Sequence, residues 1–114
     1  MSYQTIVELE EFQKRSSPLL NEVERAELIQ YLAIHPKAGD VIQGTGGLRK
    51  LRWAAKGKGK RGGSRVIYYF HNESIPLFLI TIFGKNEKID LAPQEKKALS
   101  ASLKQLINFY GDQS

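Results

Sequence analysis

Residues 48–83 read LRKLRWAAKGKGKRGGSRVIYYFHNESIPLFLITIF, and they contain three strand-like segments in succession. Residues 48–55 and 65–71 are rich in residues that favour strands, and side chains of a strand alternate between its two faces. Residues 77–83 form a nearly continuous apolar run, which is typical of a strand buried on both faces. A glycine-rich loop and a short Asn-Glu-Ser turn join the three segments. The pattern therefore predicts an antiparallel meander.

Helical patterns precede the meander. Asn21 and Glu24 have the spacing of a capping box, and apolar residues recur at helical intervals after them. Because Pro36 disfavours helix at the residue before it, we predict a helix over Glu22–Ile34. Upstream, the sequence favours a short strand over Tyr3–Val7 and one or two helical turns over Leu9–Arg15.

A last helix follows the meander. Ala92-Pro93 is a suitable helix start and Gly111 a suitable stop. Its apolar stripe consists of Leu99, Leu103, Leu106, Ile107 and Tyr110. Residues 1–114 therefore form one predicted α+β domain of order β-α-α-β-β-β-α. We expect a small, mainly antiparallel sheet with the helices packed on one face.

Composition excludes several classes of protein. The chain has 114 residues, of which 41% are hydrophobic and 25% charged, as in an ordinary globular domain. It has no cysteine and only two histidines, neither in a metal-ligand motif, so we expect no metal site and no thiol nucleophile. No apolar run approaches the ~20 residues of a membrane helix, and the acidic start lacks a signal core. We expect a cytoplasmic protein without membrane contact.

The positive charge of the chain is concentrated in one segment. Between Arg49 and Arg65 lie eight cations and no acid, whereas the other nine cations are outnumbered by all 12 acids. The net charge of +5 therefore combines a mildly acidic scaffold with one strongly basic segment. Such asymmetry indicates a polyanionic partner, most often a nucleic acid.

Lys50 and Arg52 share one face of their strand, and the hairpin register decides whether Arg65 joins them. If Ala55 and Arg65 close the loop, Arg52 lies opposite Tyr68 and Arg65 points to the other face. If the register slips by an odd number of residues, Arg65 lies on the face of Arg52. The sequence leaves both registers open. Three cations on one face would suit a phosphate group, which arginine binds in a bidentate manner.

The basic segment also suits RNA chemistry. Cleavage without a metal needs a group that accepts the 2′-OH proton, cations that stabilise the pentavalent phosphate, and an acid for the leaving oxygen. Lysine and arginine supply the cations, and a lysine whose pKa is lowered by cationic neighbours can serve as the base. On the face of Arg65, Tyr69 and His71 could stack on bases, and ordinary packing within the sheet is the alternative for Tyr69.

Two stretches resemble the RelE/ParE superfamily of type II toxins, in its HigB-like branch. They run from HPKAGDVIQGTGGLRKLRWAAKGKGKRGGSRVIYYF (residues 35–70) to LFLITIFGKNEKIDL (residues 77–91), about half of the chain. The resemblance implies a RelE-like microbial RNase fold and a ribosome-dependent mRNA endonuclease that cleaves in the ribosomal A site. It also implies that a HigA-type antitoxin with a helix-turn-helix domain neutralises the toxin. The toxin is expected to contact operator DNA only through this antitoxin.

The family pattern transfers to particular residues. Two basic residues two apart match Lys50 and Arg52, and an arginine that opens the next strand matches Arg65. A basic stretch after the last strand matches in part at Gly84–Lys88, which makes Lys85 a predicted catalytic residue with these three. The family's C-terminal tyrosine would fall near Leu91 or Ala92 and is absent, so a lysine is the expected base. The predicted RNA-binding residues are Lys56, Lys58, Lys60, Arg61, Tyr69 and Lys88.

Two other functions fit the same fold. One is a ParE-like inhibitor of DNA gyrase, which does not need a cationic cluster on the sheet. The other is a non-catalytic RNA-binding module that uses the cations only to hold phosphate. Fold alone does not separate these functions from the endonuclease.

Overall fold

A computed structural model of the chain describes residues 3–54, 63–84, 87 and 90–111. The helices are α1 (Glu10–Ser16), α2 (Glu22–Ile34) and α3 (Pro93–Gly111). The strands are β1 (Ile6–Glu8), β2 (Asp40–Val41), β3 (Leu48–Ala54), β4 (Gly63–Tyr69) and β5 (Leu77–Gly84). The predicted α+β class and element order are confirmed, with the two-residue β2 as an addition. No helix in these ranges is both long and apolar enough to span a membrane.

The sheet has the order β1-β5-β4-β3-β2. Strands β3, β4 and β5 are successive antiparallel neighbours, which confirms the predicted meander. Strand β1 pairs with β5 in parallel, and β2 pairs with β3 only at Arg49 and Lys50. On the outer side of β3, residues 51–54 therefore have no strand partner within the described part of the chain.

Helices cover both faces of the sheet, so the prediction of one helical layer was wrong. On one face Val66 and Tyr68 pack with buried residues of α1 and α2 such as Phe12. On the other face Ile67 and Tyr69 pack with Leu103 of α3. The cause is the alternation along β4 and β5, because a strand that is apolar on both sides needs cover on both sides. Every residue of β5 is buried.

Local signals explain the helix and turn boundaries. The Asn21 side chain accepts a hydrogen bond from the Glu24 N–H at 2.8 Å, and the Glu24 carboxylate accepts one from the Asn21 N–H at 2.9 Å. This capping box starts α2 at its predicted residue. The turn before β3 contains Gly44 and Gly46 with φ of 77° and 78°, a conformation that glycine adopts without strain.

Helix α3 is joined to that turn as well as to the core. The Ser100 hydroxyl donates to the carbonyl of Thr45 at 2.9 Å. The apolar stripe predicted for this helix packs on the sheet, with Leu103 only 2% exposed. This contact fixes which end of the sheet α3 covers.

Candidate phosphate-binding site

Arg52 lies directly opposite Arg65 in the β3–β4 pair. The register is therefore the slipped one of the two that the sequence allowed, and it places both arginines on one face. Lys50, two residues before Arg52, shares that face. We call Lys50, Arg52 and Arg65 the cationic face.

The cationic face lies at the edge of the core under α3, since Lys50 and Arg65 are paired with the core residues Ile67 and Phe83. Along β4, Arg65 is followed on the same face by Ile67 and Tyr69, which are buried against that helix. Arg52 is exposed, while Lys50 and Arg65 are half-buried. One face of the sheet is thus a hydrophobic core at one end and an accessible cluster of charge at the other.

The two arginines have no carboxylate partner among the described residues. The ion pairs found there involve other cations, and on this face only Lys50 is paired, with its Nζ 3.2 Å from Asp90 Oδ2. Like charges placed directly opposite each other in a sheet destabilise it. An arrangement that opposes two arginines and leaves them unpaired is typical of a site for an anion such as phosphate.

Asp90 is a member of this site that the sequence did not indicate. Its Oδ1 accepts a hydrogen bond from the Leu91 N–H at 2.8 Å, while Oδ2 contacts Lys50. The hydrogen bond from Leu91 and, after it, the interaction with Lys50 lower the pKa of Asp90. Because Asp90 and Lys50 are 40 residues apart in the sequence, no local motif joins them. The one sequence feature that could have indicated Asp90 is its position as an acid just before the last helix.

The chain is similar to proteins of a known family and to a solved structure. The model of the family described as the RelE toxin of the RelE / RelB toxin-antitoxin system matches residues 10–113. The chain belongs to the RelE toxin family. Among solved structures, E. coli toxin RelE in the free state, with two arginine-to-alanine substitutions, matches with a TM-score of 0.55 and 17% identity. The match covers 90% of this chain and 97% of that chain, and it shows a shared RelE fold.

Some of the predicted site residues lie outside the described residues. They are Lys56, Lys58, Lys60, Arg61, Lys85 and Lys88. The described residues on either side of them border the cationic face: Ala54 pairs with Gly63 next to the opposed arginines, and Gly84 pairs with Ser64.

Tyr69, which was predicted to stack on bases, is buried instead. Its side chain is 4% exposed, and it belongs to the core under α3. The hydroxyl hydrogen-bonds to His71 Nδ1 at 2.8 Å, and burial raises the pKa of Tyr69. The prediction was wrong because the face that carries Arg65 is covered by α3 at the level of Tyr69.

Arg49, another cation of the basic segment, has a structural role. Its guanidinium donates to the carbonyl oxygens of Gly39 at 2.7 Å and Lys37 at 3.3 Å. On the same loop, the Tyr68 hydroxyl accepts from the Gly39 N–H at 2.7 Å and donates to the Pro36 carbonyl at 2.9 Å. Arg49 and Tyr68 therefore hold the loop between α2 and β2 against the sheet, and Arg49 is not part of the cationic face.

Proposed function

We propose that this RelE family toxin is a ribosome-dependent mRNA endonuclease that cleaves in the ribosomal A site without a metal ion. The observation that carries the proposal is the cationic face, where Arg52 directly opposes Arg65 without a carboxylate partner in the described part of the chain. Membership of the RelE family supports the toxin assignment. The HigB-like branch and the ribosome as the place of action rest on the sequence resemblance.

In the proposed reaction the 2′-oxygen attacks the adjacent phosphorus while the bond from phosphorus to the 5′-oxygen breaks. The products are a 2′,3′-cyclic phosphate and a free 5′-hydroxyl. Negative charge grows on the nonbridging oxygens of the pentavalent phosphate, and Arg52 and Arg65 stabilise it. Arginine stays charged and cannot exchange protons, so proton transfer is assigned to lysine. Lys50, held in place by Asp90, is the described lysine of the site, and Lys85 is the second one proposed.

The other proposed roles follow from charge and family. Lys56, Lys58, Lys60, Arg61 and Lys88 bind ribosomal or messenger RNA through its phosphates. Such binding weakens steeply as salt rises, because each phosphate contact releases counterions. The proposed partner in the cell is a HigA-type antitoxin with a helix-turn-helix domain, and the toxin contacts operator DNA only through it. Action on ribosomes places the toxin in the cytoplasm.

The test is primer extension on a reporter mRNA in a purified translation system, with ribosomes present or omitted. We expect in-frame cuts only with ribosomes. Cuts in naked mRNA would refute ribosome dependence. Intact mRNA in both reactions would refute the nuclease and favour the gyrase inhibitor or the non-catalytic RNA-binding module.

Site variants sharpen the same assay. Arg65→Ala should slow cleavage by roughly 10²–10³-fold, the usual effect of removing one donor to developing negative charge. Arg65→Lys keeps the charge without the bidentate geometry and should recover only part of the rate. Lys104→Ala, an exposed cation on α3, is the matched control and should cleave normally. Normal cleavage by folded Arg65→Ala would refute the assignment of the site.

A further inference from the structure

Behind the cationic face, on the opposite side of β3, three aromatic rings form a small surface cluster. The Tyr31 ring lies between His35 and Trp53, with centroids 4.9 Å from His35 and 5.5 Å from Trp53. Tyr31 is 38% exposed, His35 is exposed and Trp53 is half-buried. We call these three residues the aromatic ledge. Trp53 also packs at the edge of the core under α1 and α2, and none of the three residues belongs to the cationic face.

The ledge borders an open hollow of about 400 Å³, lined by Tyr31, His35, Pro36, Lys37 and Ala38. Ligand pockets begin at about 300 Å³, so the hollow has room for a nucleobase. Lys37 is exposed at its rim and offers a cation for the attached phosphate. Aromatic rings beside a cation are the usual recognition surface for single-stranded RNA.

The ledge is rigid enough to serve as a preformed platform. His35 caps the C-terminus of α2, with its N–H donating to the Tyr31 carbonyl at 2.8 Å. The loop that follows is held by the hydrogen bonds from Arg49 and Tyr68. A surface that is already ordered loses little conformational entropy when a ligand binds.

The aromatic ledge and the cationic face lie on opposite faces of the sheet and meet at the outer edge of β3. Arg52 and Trp53 are neighbours in the chain and point to opposite faces of the sheet. No strand of the described chain pairs with the outer side of residues 51–54. From Val41 to Asn72 the sequence contains no acid, so a phosphate chain that passes this edge meets no carboxylate of β3 or β4.

We propose that the aromatic ledge is a second RNA-binding site, where a base of the strand held at the cationic face stacks on Tyr31 and His35. The buried Trp53 Nε1 has no hydrogen-bond partner among the described residues, so the ledge contains one unsatisfied donor that the fold does not explain. The proposal extends the proposed function, because it takes RNA as the substrate and adds a contact beyond the scissile phosphate.

Trp53 is the only tryptophan in the chain, so its fluorescence reports on the ledge directly. The probes are a single-stranded RNA oligonucleotide and inorganic polyphosphate, which has the charge of RNA without its bases. We expect RNA to quench Trp53 fluorescence and polyphosphate to leave it unchanged while still binding. Equal quenching by both probes, or RNA binding without quenching, would overturn the proposal, as would a failure of RNA to bind.

Variants test the stacking role. Tyr31→Ser should weaken RNA binding by about 5- to 150-fold, the range for loss of one base–aromatic stack, and Tyr31→Phe should retain it. Phe109→Ser removes an aromatic residue on α3 that is 58% exposed and should have no effect. Normal RNA affinity in folded Tyr31→Ser would refute the ledge. If Tyr31→Ser binds RNA normally and the wild type still cleaves mRNA in frame, the ledge is refuted and the proposed function stands. If RNA quenches Trp53 fluorescence but mRNA is not cleaved, only the nuclease is refuted.

Discussion

The opposed arginines are expected to destabilise the fold while they favour phosphate binding. Arg52 and Arg65 are direct cross-strand partners. Side chains in that position have Cβ atoms about 4.5–5.5 Å apart, and like charges there destabilise a sheet by roughly 0.2–1 kcal/mol. Coulomb's law gives the same scale, about 0.8 kcal/mol for two unit charges 5 Å apart in water. Neutralising either arginine should therefore stabilise the fold while it weakens phosphate binding.

The perturbations are Arg52→Gln, Arg65→Gln and the double variant, since glutamine keeps part of the aliphatic stem. For a chain of this size about 1 kcal/mol corresponds to roughly 4 °C in Tm, so each single variant should melt about 1–4 °C higher at low salt. The double variant should gain little beyond one single variant, because either change removes the same repulsion. The gain should shrink in 1 M salt, where the Debye length falls to about 3 Å.

The assay is thermal unfolding followed by circular dichroism, with and without polyphosphate. A ligand at 100 times its Kd stabilises the folded state by about 2.7 kcal/mol, so polyphosphate should raise the Tm of the wild type and raise that of the variants less. Lys104→Gln, on the surface of α3, is the control and should behave as the wild type. Single variants that melt lower, or gains that simply add in the double variant, would refute the repulsion between the two side chains.

Three further predictions concern the residues around the site. Gly39→Ala should lower stability by about 1–3 kcal/mol in chemical denaturation, because an added Cβ would lie 2.8 Å from the ring of Tyr68; unchanged stability would refute this close packing. Tyr68→Phe should cost about 1–3 kcal/mol at neutral pH, since it leaves the N–H of Gly39 without its acceptor. Burial raises the pKa of Tyr68 in the folded state. The free energy of unfolding of the wild type should therefore fall as the pH rises from about 10 through that pKa, and that of Tyr68→Phe should fall less. Parallel curves of stability against pH for the two proteins would contradict this. The pKa of Asp90 is lowered in the folded state, so the stability that its charge contributes is present above about pH 4 and is lost as the pH falls through the folded-state pKa. The free energy of unfolding of Asp90→Asn should therefore differ from that of the wild type at neutral pH and converge with it in acid. A difference that stays constant with pH would refute the charge interaction.

The elements with local signals were predictable from the sequence. Helix α2 has its predicted bounds because the Asn21 cap and Pro36 each act within a few residues. The strands of the meander differ from prediction by no more than two residues at either end, since alternation and the apolar run at 77–83 mark them. Lys50 and Arg52 were predicted to share a face, because side-chain alternation alone requires it.

The features that depend on distant residues were not predictable in the same way. The register of Arg65 depends on a hairpin loop rich in glycine, which weakly constrains how two strands align. The side of the sheet covered by α3 depends on how Ser100 and Leu103 meet the turn at Thr45 and the core. The same coverage buries Tyr69, which the sequence alone presented as an aromatic beside a cation. The role of Asp90 depends on a contact 40 residues away in sequence.

The edge of the core under α3 explains why, among the described residues, Lys50 has a carboxylate partner and Arg52 has none. Lys50 lies opposite Ile67, a fully buried residue of that core, and its own side chain is 30% exposed. A charge this close to apolar surface is costly unless it is paired, and Asp90 supplies the pair. Arg52 lies one step further from the core and is exposed, so water can solvate its guanidinium until a phosphate arrives. Within the described residues, the gradient of burial along β3 thus separates a lysine held in place by a carboxylate from an arginine that is exposed for phosphate binding.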